Sequence, residues 1–292
     1  MKVAGFSFVR NANKFDYPIV EAITSILPIC DTFIVAVGDS EDETLELIRS
    51  IKSDKIKIIE TVWDDSLREG GRVLAVETDK AFQAIPNEYD WAFYIQGDEV
   101  VHEDDLPVIK AGMEKNLESK EIDGLLFKYR HFFGSYDYVG NSPRWYANEI
   151  RVVRNRKDVT SFRDAQGFRK GDNEKLVVAP LDAHIHHYGW VKDPRTMQAK
   201  QESFNKLWHD DDWMEENILG PEEYDYFQNI DSLRRFEGSH PKVMKERISD
   251  LNWEFNYDIS FNRTSTKHKM KKWMKNSLGW DTSYRNYILK KR

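Results

Sequence analysis

The sequence is poor in cysteine and in long apolar runs. Its 292 residues include one cysteine, Cys30, so no disulfide can form within the chain and no cysteine-based zinc site exists. A single cysteine suits a reducing compartment. No run approaches the roughly 18 apolar residues of a spanning helix. The opening segment MKVAGFSFVRNANKFD lacks the apolar core of a signal peptide. We therefore expect a cytoplasmic protein.

Basic residues are fewer than acidic residues. The 43 Lys and Arg residues are outnumbered by 50 Asp and Glu residues, and the net charge of −7 argues against a general nucleic-acid binder. The hydrophobic fraction of 40% and charged fraction of 32% are typical of a soluble globular protein. The length allows one large α/β domain, or a smaller domain with an appendage.

The first half of the chain alternates apolar runs with helical patterns. Ser40 and Glu43 have the spacing of a capping box at the start of one of these helices. The order β-α-β-α-β-α-β predicts a Rossmann-like α/β fold, with a mostly parallel central sheet flanked by helices. The predicted strands are residues 3–9, 32–37, 55–62 and 91–96, and the predicted helices are residues 17–27, 40–51 and 70–85.

The second half has a different pattern. Residues 122–190 resemble the strands of a more mixed sheet, and a helical pattern returns at Asp193, which can cap a helix that begins with Pro194. We predict a catalytic domain over residues 1–192. Residues 193–292 would form a helical C-terminal extension, basic at its end.

Polar side chains follow each predicted strand of the first half. Because ligands of such sheets bind at the carboxyl ends of the strands, these residues should converge on one crevice. They are Arg10, Asn11, Asn13, Asp39, Asp64, Asp65, Asp98 and Glu99.

The turn Gln96-Gly97-Asp98-Glu99 is the first candidate site. Carboxylates at a strand end, together with phosphate oxygens of a ligand, can hold Mg²⁺ or Mn²⁺, and Gly97 leaves room for a ligand to approach the backbone. A polar loop is the alternative. The acidic residues 103–105 have a structural explanation, because negative charge is favourable at the start of the next helix.

Two further clusters could carry chemistry. In HIHHYGW, His184 and His186 would share one face of a strand and His187 the other. An imidazole there could complete a metal site or contact a phosphate, or simply belong to a packed strand. The loop SFRDAQGFRKGDNEKL holds Asp164 and Asp172, either of which could act as a general base, although a polar surface turn is the alternative.

Together these features resemble a GT-A glycosyltransferase, similar to the inverting, nucleotide-sugar-dependent family 2. The matching segments are VRN (residues 9–11), VGDSEDET (37–44), a Gly-Gly-Arg that opens a helix (70–72), the acidic turn after the strand, and the downstream aspartate and histidines. IQGDEV resembles a subgroup in which Gln replaces the first acid of Asp-x-Asp. The match covers roughly residues 1–190, and it implies a nucleotide-sugar-binding half over about residues 1–105 and an acceptor half over about residues 106–192.

The resemblance implies roles for particular residues. Asp98 would bind Mg²⁺ or Mn²⁺, with Glu99 and His187 as further ligands, and Asp164 would be the catalytic base, with Asp172 and Glu149 left open. The residues implied to bind or support the nucleotide sugar are Val9, Arg10, Asn11, Glu21, Asp39, Arg72, Gln96 and Gly97.

The implied activity is transfer of a sugar to a glycan or lipid-linked acceptor, as in bacterial surface polysaccharide synthesis. A nucleotidyltransferase is one alternative, although VRNANKFD lacks the Gly-rich basic loop that such an enzyme usually has after its first strand. An inactive carbohydrate-binding relative is the other alternative, and the neutral Gln96 favours it. The basic segment KHKMKKWMKNSLGW could lie peripherally on an anionic membrane, or could be a solvated helix.

Overall fold

The chain forms an α/β fold around a mixed sheet. The computed structural model describes residues 1–67, 69–228, 230–266, 269–270, 273–274, 277 and 285–290. Its helices are α1 (Ile19–Ile26), α2 (Thr44–Arg49), α3 (Arg72–Gln83), α4 (Leu106–Lys115), α5 (Pro194–Asn205), α6 (Asp211–Asn217) and α7 (Lys245–Ser249). Its strands are β1 (Val3–Val9), β2 (Thr32–Gly38), β3 (Ile56–Thr61), β4 (Trp91–Tyr94), β5 (Glu99–Val101), β6 (Gly124–Phe133), β7 (Ser135–Gly140), β8 (Asn148–Arg154), β9 (Val159–Phe162), β10 (Gly167–Lys170), β11 (Glu174–Lys175), β12 (Val177–Trp190), β13 (Leu233–Arg235) and β14 (Ile288–Leu289).

The predicted parallel sheet is present, and it continues into strands of mixed direction. Along the sheet the order is β13-β7-β6-β8-β4-β1-β2-β3. The pairs β1–β2, β2–β3 and β1–β4 are parallel, whereas β8 runs antiparallel to both β4 and β6. The long strand β12 pairs with β6, β5 and β14. The carboxyl ends of β3, β1 and β4 therefore lie in that order along one edge.

Both faces of the central strands are covered. On one face Ile23, Phe33 and Phe127 belong to an apolar cluster, and on the other Phe6 and Phe82 belong to a second. Every residue of β2 and β4 is buried. This explains why these strands lack polar alternation in the sequence. The edge strand β3 is only half-buried.

The structure corrects one local prediction. Helix α2 begins at Thr44, and Glu43 at its N-cap position makes no side-chain cap, so the predicted capping box is wrong. The hydroxyl of Ser40 donates to the carbonyl of Gly38 (2.9 Å) and accepts from the backbone N–H of Asn11 (3.1 Å). Ser40 thus ties the end of β2 to the loop after β1. The cap predicted at Asp193 is confirmed, since its side chain accepts from the N–H of Arg195.

Residues after 192 do not stand apart from the sheet. Strand β13 pairs with β7 and β14 pairs with β12, while α5 packs over the strand ends. None of the described helices is long and apolar enough to cross a membrane. Much of the basic segment 267–280 falls outside the described residues, and its contact with a membrane stays a prediction.

Candidate active site

A large cleft opens at the carboxyl ends of β1, β3 and β4. Its volume is about 880 Å³, and α5 with the loop after it forms one wall. The lining includes most of the residues singled out in the sequence: Val9, Arg10, Asn11, Asp65, Gln96, Gly97, Asp98, Asp164 and His187. It also includes residues that the sequence did not reveal: Phe8, Tyr17, Trp63, Tyr146, Arg151, Trp190 and Lys200.

The end of the cleft nearest β3 is built from an arginine and a tryptophan. The guanidinium of Arg10 lies 5.4 Å from the centre of the Trp63 ring and donates to Asp65 at 2.7 Å. It also donates to the backbone carbonyl of Asp39 at 3.0 Å. The side chain of Asp39 is mostly exposed, with its Oδ1 3.9 Å from Nε of Arg10 and 3.5 Å from the backbone N of Trp63, and it lines a smaller depression beside β2. Arg10 thus links the ends of three strands.

Asn11 holds the first loop in shape. Its φ of 56° is in the left-handed region, which asparagine tolerates better than most residues. Its side-chain oxygen accepts from the N–H of Glu41 at 2.8 Å. The loop can therefore turn sharply after β1 and present Arg10 and Asn11 to the cleft.

Asp98 lies in the centre of the cleft among cationic groups. Its Oδ2 is 3.4 Å from Nζ of Lys200 and 3.7 Å from Nε2 of His187. Burial alone would raise the pKa of Asp98, but His187, Lys200 and Lys192 outweigh it and hold the pKa well below its usual value. A β-carbon at Gly189 would lie 2.5 Å from this oxygen, so the packing here requires glycine.

A chain of hydrogen bonds fixes the tautomer of His187. Nε2 of His131 lies 2.8 Å from the carbonyl oxygen of Tyr146, which can only accept, so that nitrogen carries a proton. Burial and the charge of His187 lower the pKa of His131 to about 3, which leaves its Nδ1 bare. Nδ1 of His187, 3.1 Å away, must then donate to it. His187 consequently presents Nε2 to Asp98 and the cleft.

Glu99 was predicted as a metal ligand, but it is turned into the protein. Its carboxylate receives two hydrogen bonds from Arg151, at 2.8 and 2.7 Å, and one from Tyr129 at 2.7 Å. The side chains of Glu99 and Arg151 are 0% and 1% exposed. Asp98, in the turn, lines the cleft, whereas Glu99, the first residue of β5, faces Arg151. Glu99 is therefore part of a buried ion pair.

The predicted metal set is accordingly not assembled. Across the described ranges, no group of three or more His, Cys, Asp or Glu side chains could hold a metal ion. Asp98 and His187 remain as a pair of candidate donors. However, the ammonium of Lys200 lies 3.4 Å from Oδ2 of Asp98, so a cation bound there would meet a like charge and these residues fit a divalent ion poorly.

Gln96 has a structural use that an acid could not fulfil. Its amide nitrogen donates to the hydroxyl of Tyr94 (3.2 Å) and to the carbonyl of Ala165 (3.3 Å). The second bond ties the turn after β4 to the loop that carries Asp164. A carboxylate in this position would have no proton to donate at neutral pH.

Asp164 projects into the cleft from a sharply turned loop. Its neighbours Arg163 and Ala165 have φ values of 57° and 63°. One carboxylate oxygen accepts from Gln166 at 2.8 Å. A β-carbon on Gly71, whose φ is 67°, would lie 2.9 Å from Cβ of Asp164, so the Gly-Gly turn gives this loop its room.

The remaining predicted residues do not line the cleft. Glu21 pairs with Arg247 at 3.1 Å, and Arg72 is exposed at the start of α3. Asp172 is exposed in the turn between β10 and β11, so of the alternative bases only Glu149 lies close to the site. Glu149 is 8% exposed, and its Oε2 has no hydrogen-bond partner among the described residues.

Glu149 should make stability depend on pH. Burial raises its pKa from 4.5 to about 8, with Arg151 opposing and Glu99 adding to the shift. Its stabilising contribution is therefore complete below pH 4.5 and is lost as the pH rises to about 8. We expect Glu149→Gln to gain about 1–4 kcal/mol in unfolding free energy relative to wild type between pH 5 and pH 9.

Urea denaturation at the two pH values measures this difference. The control is Glu114→Gln, which changes an exposed glutamate of α4 and should show no such trend. An equal difference between Glu149→Gln and wild type at both pH values would contradict the prediction.

Comparison with known proteins gives only distant likenesses. No family model and no curated protein matches the sequence. Staphylococcus aureus TarS shares 14% identity at a TM-score of 0.38, over 76% of this chain and 41% of TarS. Mycobacterium tuberculosis glucosyl-3-phosphoglycerate synthase was solved with Mn²⁺, UDP and glucosyl-3-phosphoglycerate. It shares 17% sequence identity at a TM-score of 0.30, over 46% of this chain and 45% of that one.

A third likeness is to 4-diphosphocytidyl-2C-methyl-D-erythritol synthase from Anaerococcus prevotii, with 12% identity and a TM-score of 0.37 over 70% of this chain and 94% of that one. This chain spans less than half of the length of TarS. Because the TM-scores are this low, we base the function on the geometry of the cleft.

Proposed function

We propose that the protein is an inverting glycosyltransferase that moves a sugar from a nucleoside-diphosphate donor to a hydroxyl group of a glycan or glycolipid. The observation that carries this proposal is the set of groups in one cleft. An aromatic and basic surface (Trp63, Arg10) follows β3 and β1, Lys200 and His187 lie beside the turn after β4, and a carboxylate, Asp164, lies in the same cleft.

The Trp63 end of the cleft suits a nucleoside. A nucleobase can stack on an indole ring, and such stacking is largely independent of the base. Asn11 and the backbone after β1 offer polar groups for the ribose. Asp39 lies beside this end of the cleft, since its backbone carbonyl accepts from Arg10 and its carboxylate accepts from the N–H of Trp63.

The acceptor would enter near Tyr146 and Trp190, which line the cleft close to His187. Aromatic faces suit the apolar face of a sugar ring. The acceptor oxygen would then attack the anomeric carbon and lose its proton to Asp164. The bond between that carbon and the phosphate oxygen breaks at the same time, which inverts the anomeric configuration and releases the nucleoside diphosphate.

A panel of UDP-, GDP- and dTDP-sugars tests the proposal. We expect one nucleotide to bind the wild-type protein in calorimetry and its sugar to be transferred or hydrolysed. Trp63→Ala should weaken that binding roughly 10- to 100-fold, because it removes the surface on which the base stacks. Trp213→Ala, in a helix outside the cleft, is the matched control and should bind normally.

The outcomes separate the proposal from its alternatives. Binding of a sugar nucleotide without turnover on any acceptor would indicate a carbohydrate-binding protein. Release of pyrophosphate from a nucleoside triphosphate would indicate a nucleotidyltransferase. Unchanged binding in Trp63→Ala would contradict the proposed nucleoside position. A role in surface polysaccharide synthesis stays a prediction that acceptor screening would address.

A further inference from the structure

The charge around Asp98 is already balanced by the protein. The carboxylate lies 3.4 Å from the ammonium of Lys200, whose Nζ also donates to the carbonyl of Gly189 at 2.9 Å. The side chains of Asp98 and Lys200 are 14% and 12% exposed. A largely buried pair of this kind interacts more strongly than a surface pair, because water screens it less.

A second lysine lies behind the cleft wall, where burial lowers its pKa to about 7, so it carries only part of a positive charge at neutral pH. Lys192 is fully buried, and its Nζ donates to the backbone carbonyl of Asp16 at 2.6 Å. The ammonium groups of Lys192 and Lys200 lie 4.8 and 5.1 Å from the ring centre of Tyr17. Lys200 therefore balances the charge of Asp98, and partly protonated Lys192 adds to the positive side, so the centre favours a bound anion.

The neighbouring acids do not change this balance. Glu99 forms a buried ion pair with Arg151, and the residue two positions before Asp98 is the neutral Gln96. An ion bound to Asp98 at about 2.1 Å would lie close to the Lys200 ammonium and would have to displace it. Binding of a divalent cation would also bring like charges together in a poorly solvated site.

We propose that Lys200 takes the place of a divalent cation in this cleft, so that its ammonium binds the phosphate oxygens of the ligand and no metal ion is required. This inference rests on the proposed function and identifies the group that stabilises its leaving group. Lys192 does not line the cleft and contributes through its charge.

The chemical step balances without a metal. The bond from the anomeric carbon to the phosphate oxygen breaks, and its electron pair stays on that oxygen. Lys200 stabilises the added negative charge by a charge-assisted hydrogen bond. The new bond forms from the acceptor oxygen, whose proton passes to Asp164. Because the ammonium of Lys200 is largely buried and already in place, it can stabilise the leaving group without rearrangement of the surrounding groups during the reaction.

Calorimetry in the presence of EDTA tests the inference, with inorganic pyrophosphate and with UDP, GDP and dTDP as probes. Wild-type protein should bind pyrophosphate and one nucleotide under these conditions, and added Mg²⁺ or Mn²⁺ should change the nucleotide affinity by less than about threefold. Lys200→Met should weaken both about 10- to 100-fold, as expected for the loss of a hydrogen bond from a charged donor.

Two variants keep the test specific. Lys200→Arg preserves the charge and should retain most of the affinity, whereas Lys110→Met changes an exposed lysine of α4 and should bind like wild type. Thermal unfolding of each variant checks that the fold is intact.

Failure of this inference and failure of the proposed function give different results. Nucleotide binding that appears only with Mg²⁺ or Mn²⁺, or that is undiminished in Lys200→Met, would overturn the role of Lys200 while leaving the glycosyltransferase proposal in place. Absence of nucleotide binding both with EDTA and with metal would overturn both.

Discussion

Asp164→Asn should lower the rate of sugar transfer about 10²- to 10⁴-fold while leaving donor affinity nearly unchanged. Asparagine has the same shape but cannot take the proton of the acceptor hydroxyl. Its amide can still lie beside Gln166, which bonds to Asp164 at 2.8 Å in the native protein. The loop should therefore keep its conformation, and the loss should be in kcat, since donor contacts are elsewhere in the cleft.

Steady-state kinetics with the donor identified in the panel would measure this effect. Asp172→Asn is the matched control, because Asp172 lies in an exposed turn outside the cleft and should transfer at the wild-type rate. If Asp164→Asn kept full kcat and Asp172→Asn lost it, the base would be the other aspartate. If neither variant lost activity, Glu149 would be the next carboxyl group to replace.

Arg151→Met should destabilise the protein by about 3–5 kcal/mol, because it leaves the charge of Glu99 buried without its partner. The native carboxylate accepts two hydrogen bonds from Arg151, one from Tyr129 and one from the backbone of Gln96. Only Tyr129 and the backbone N–H would remain. Two neutral donors do not compensate a carboxylate that is 0% exposed.

A double-mutant cycle in urea would measure the coupling. Glu99→Gln in the Arg151→Met background should recover part of the loss, since it removes the uncompensated charge. Lys128→Met serves as a control, because its ion pair with Asp182 is 49% and 81% exposed and should be worth less than about 1 kcal/mol. A loss below about 1 kcal/mol in Arg151→Met would contradict the structural role of the pair.

The sequence predicted the sheet well because the pattern is local. Apolar runs of strand length, such as residues 32–38, are buried on both faces, and the helices between them have clear periodicity. Asp98 and His187 were found for a related reason. Each follows or belongs to a strand, and parallel strands bring their carboxyl ends to one edge.

The sequence could not reveal partners that are distant along the chain. Lys200 is 102 residues from Asp98, and Arg151 is 52 residues from Glu99. Lys200 forms an ion pair with Asp98, and Arg151 forms a buried ion pair with Glu99.

Trp63 and Gln96 illustrate two other limits of predicting the site from the sequence. A tryptophan after a strand is more often a core residue than part of a site, so nothing in the sequence distinguished Trp63. Gln96 looked like a lost ligand, whereas its amide donates to Ala165 and connects two loops of the cleft. Such a bond depends on the positive φ of Ala165, 63°, which sequence patterns do not predict.

A crystal structure of the wild-type protein with the nucleoside diphosphate that binds would test the central claim most directly. We predict the base beside Trp63, the phosphates within hydrogen-bond distance of Nζ of Lys200, and Asp164 facing the open side of the terminal phosphate. A nucleotide bound outside this cleft, or one whose phosphates point away from Lys200 and Asp98, would contradict the account.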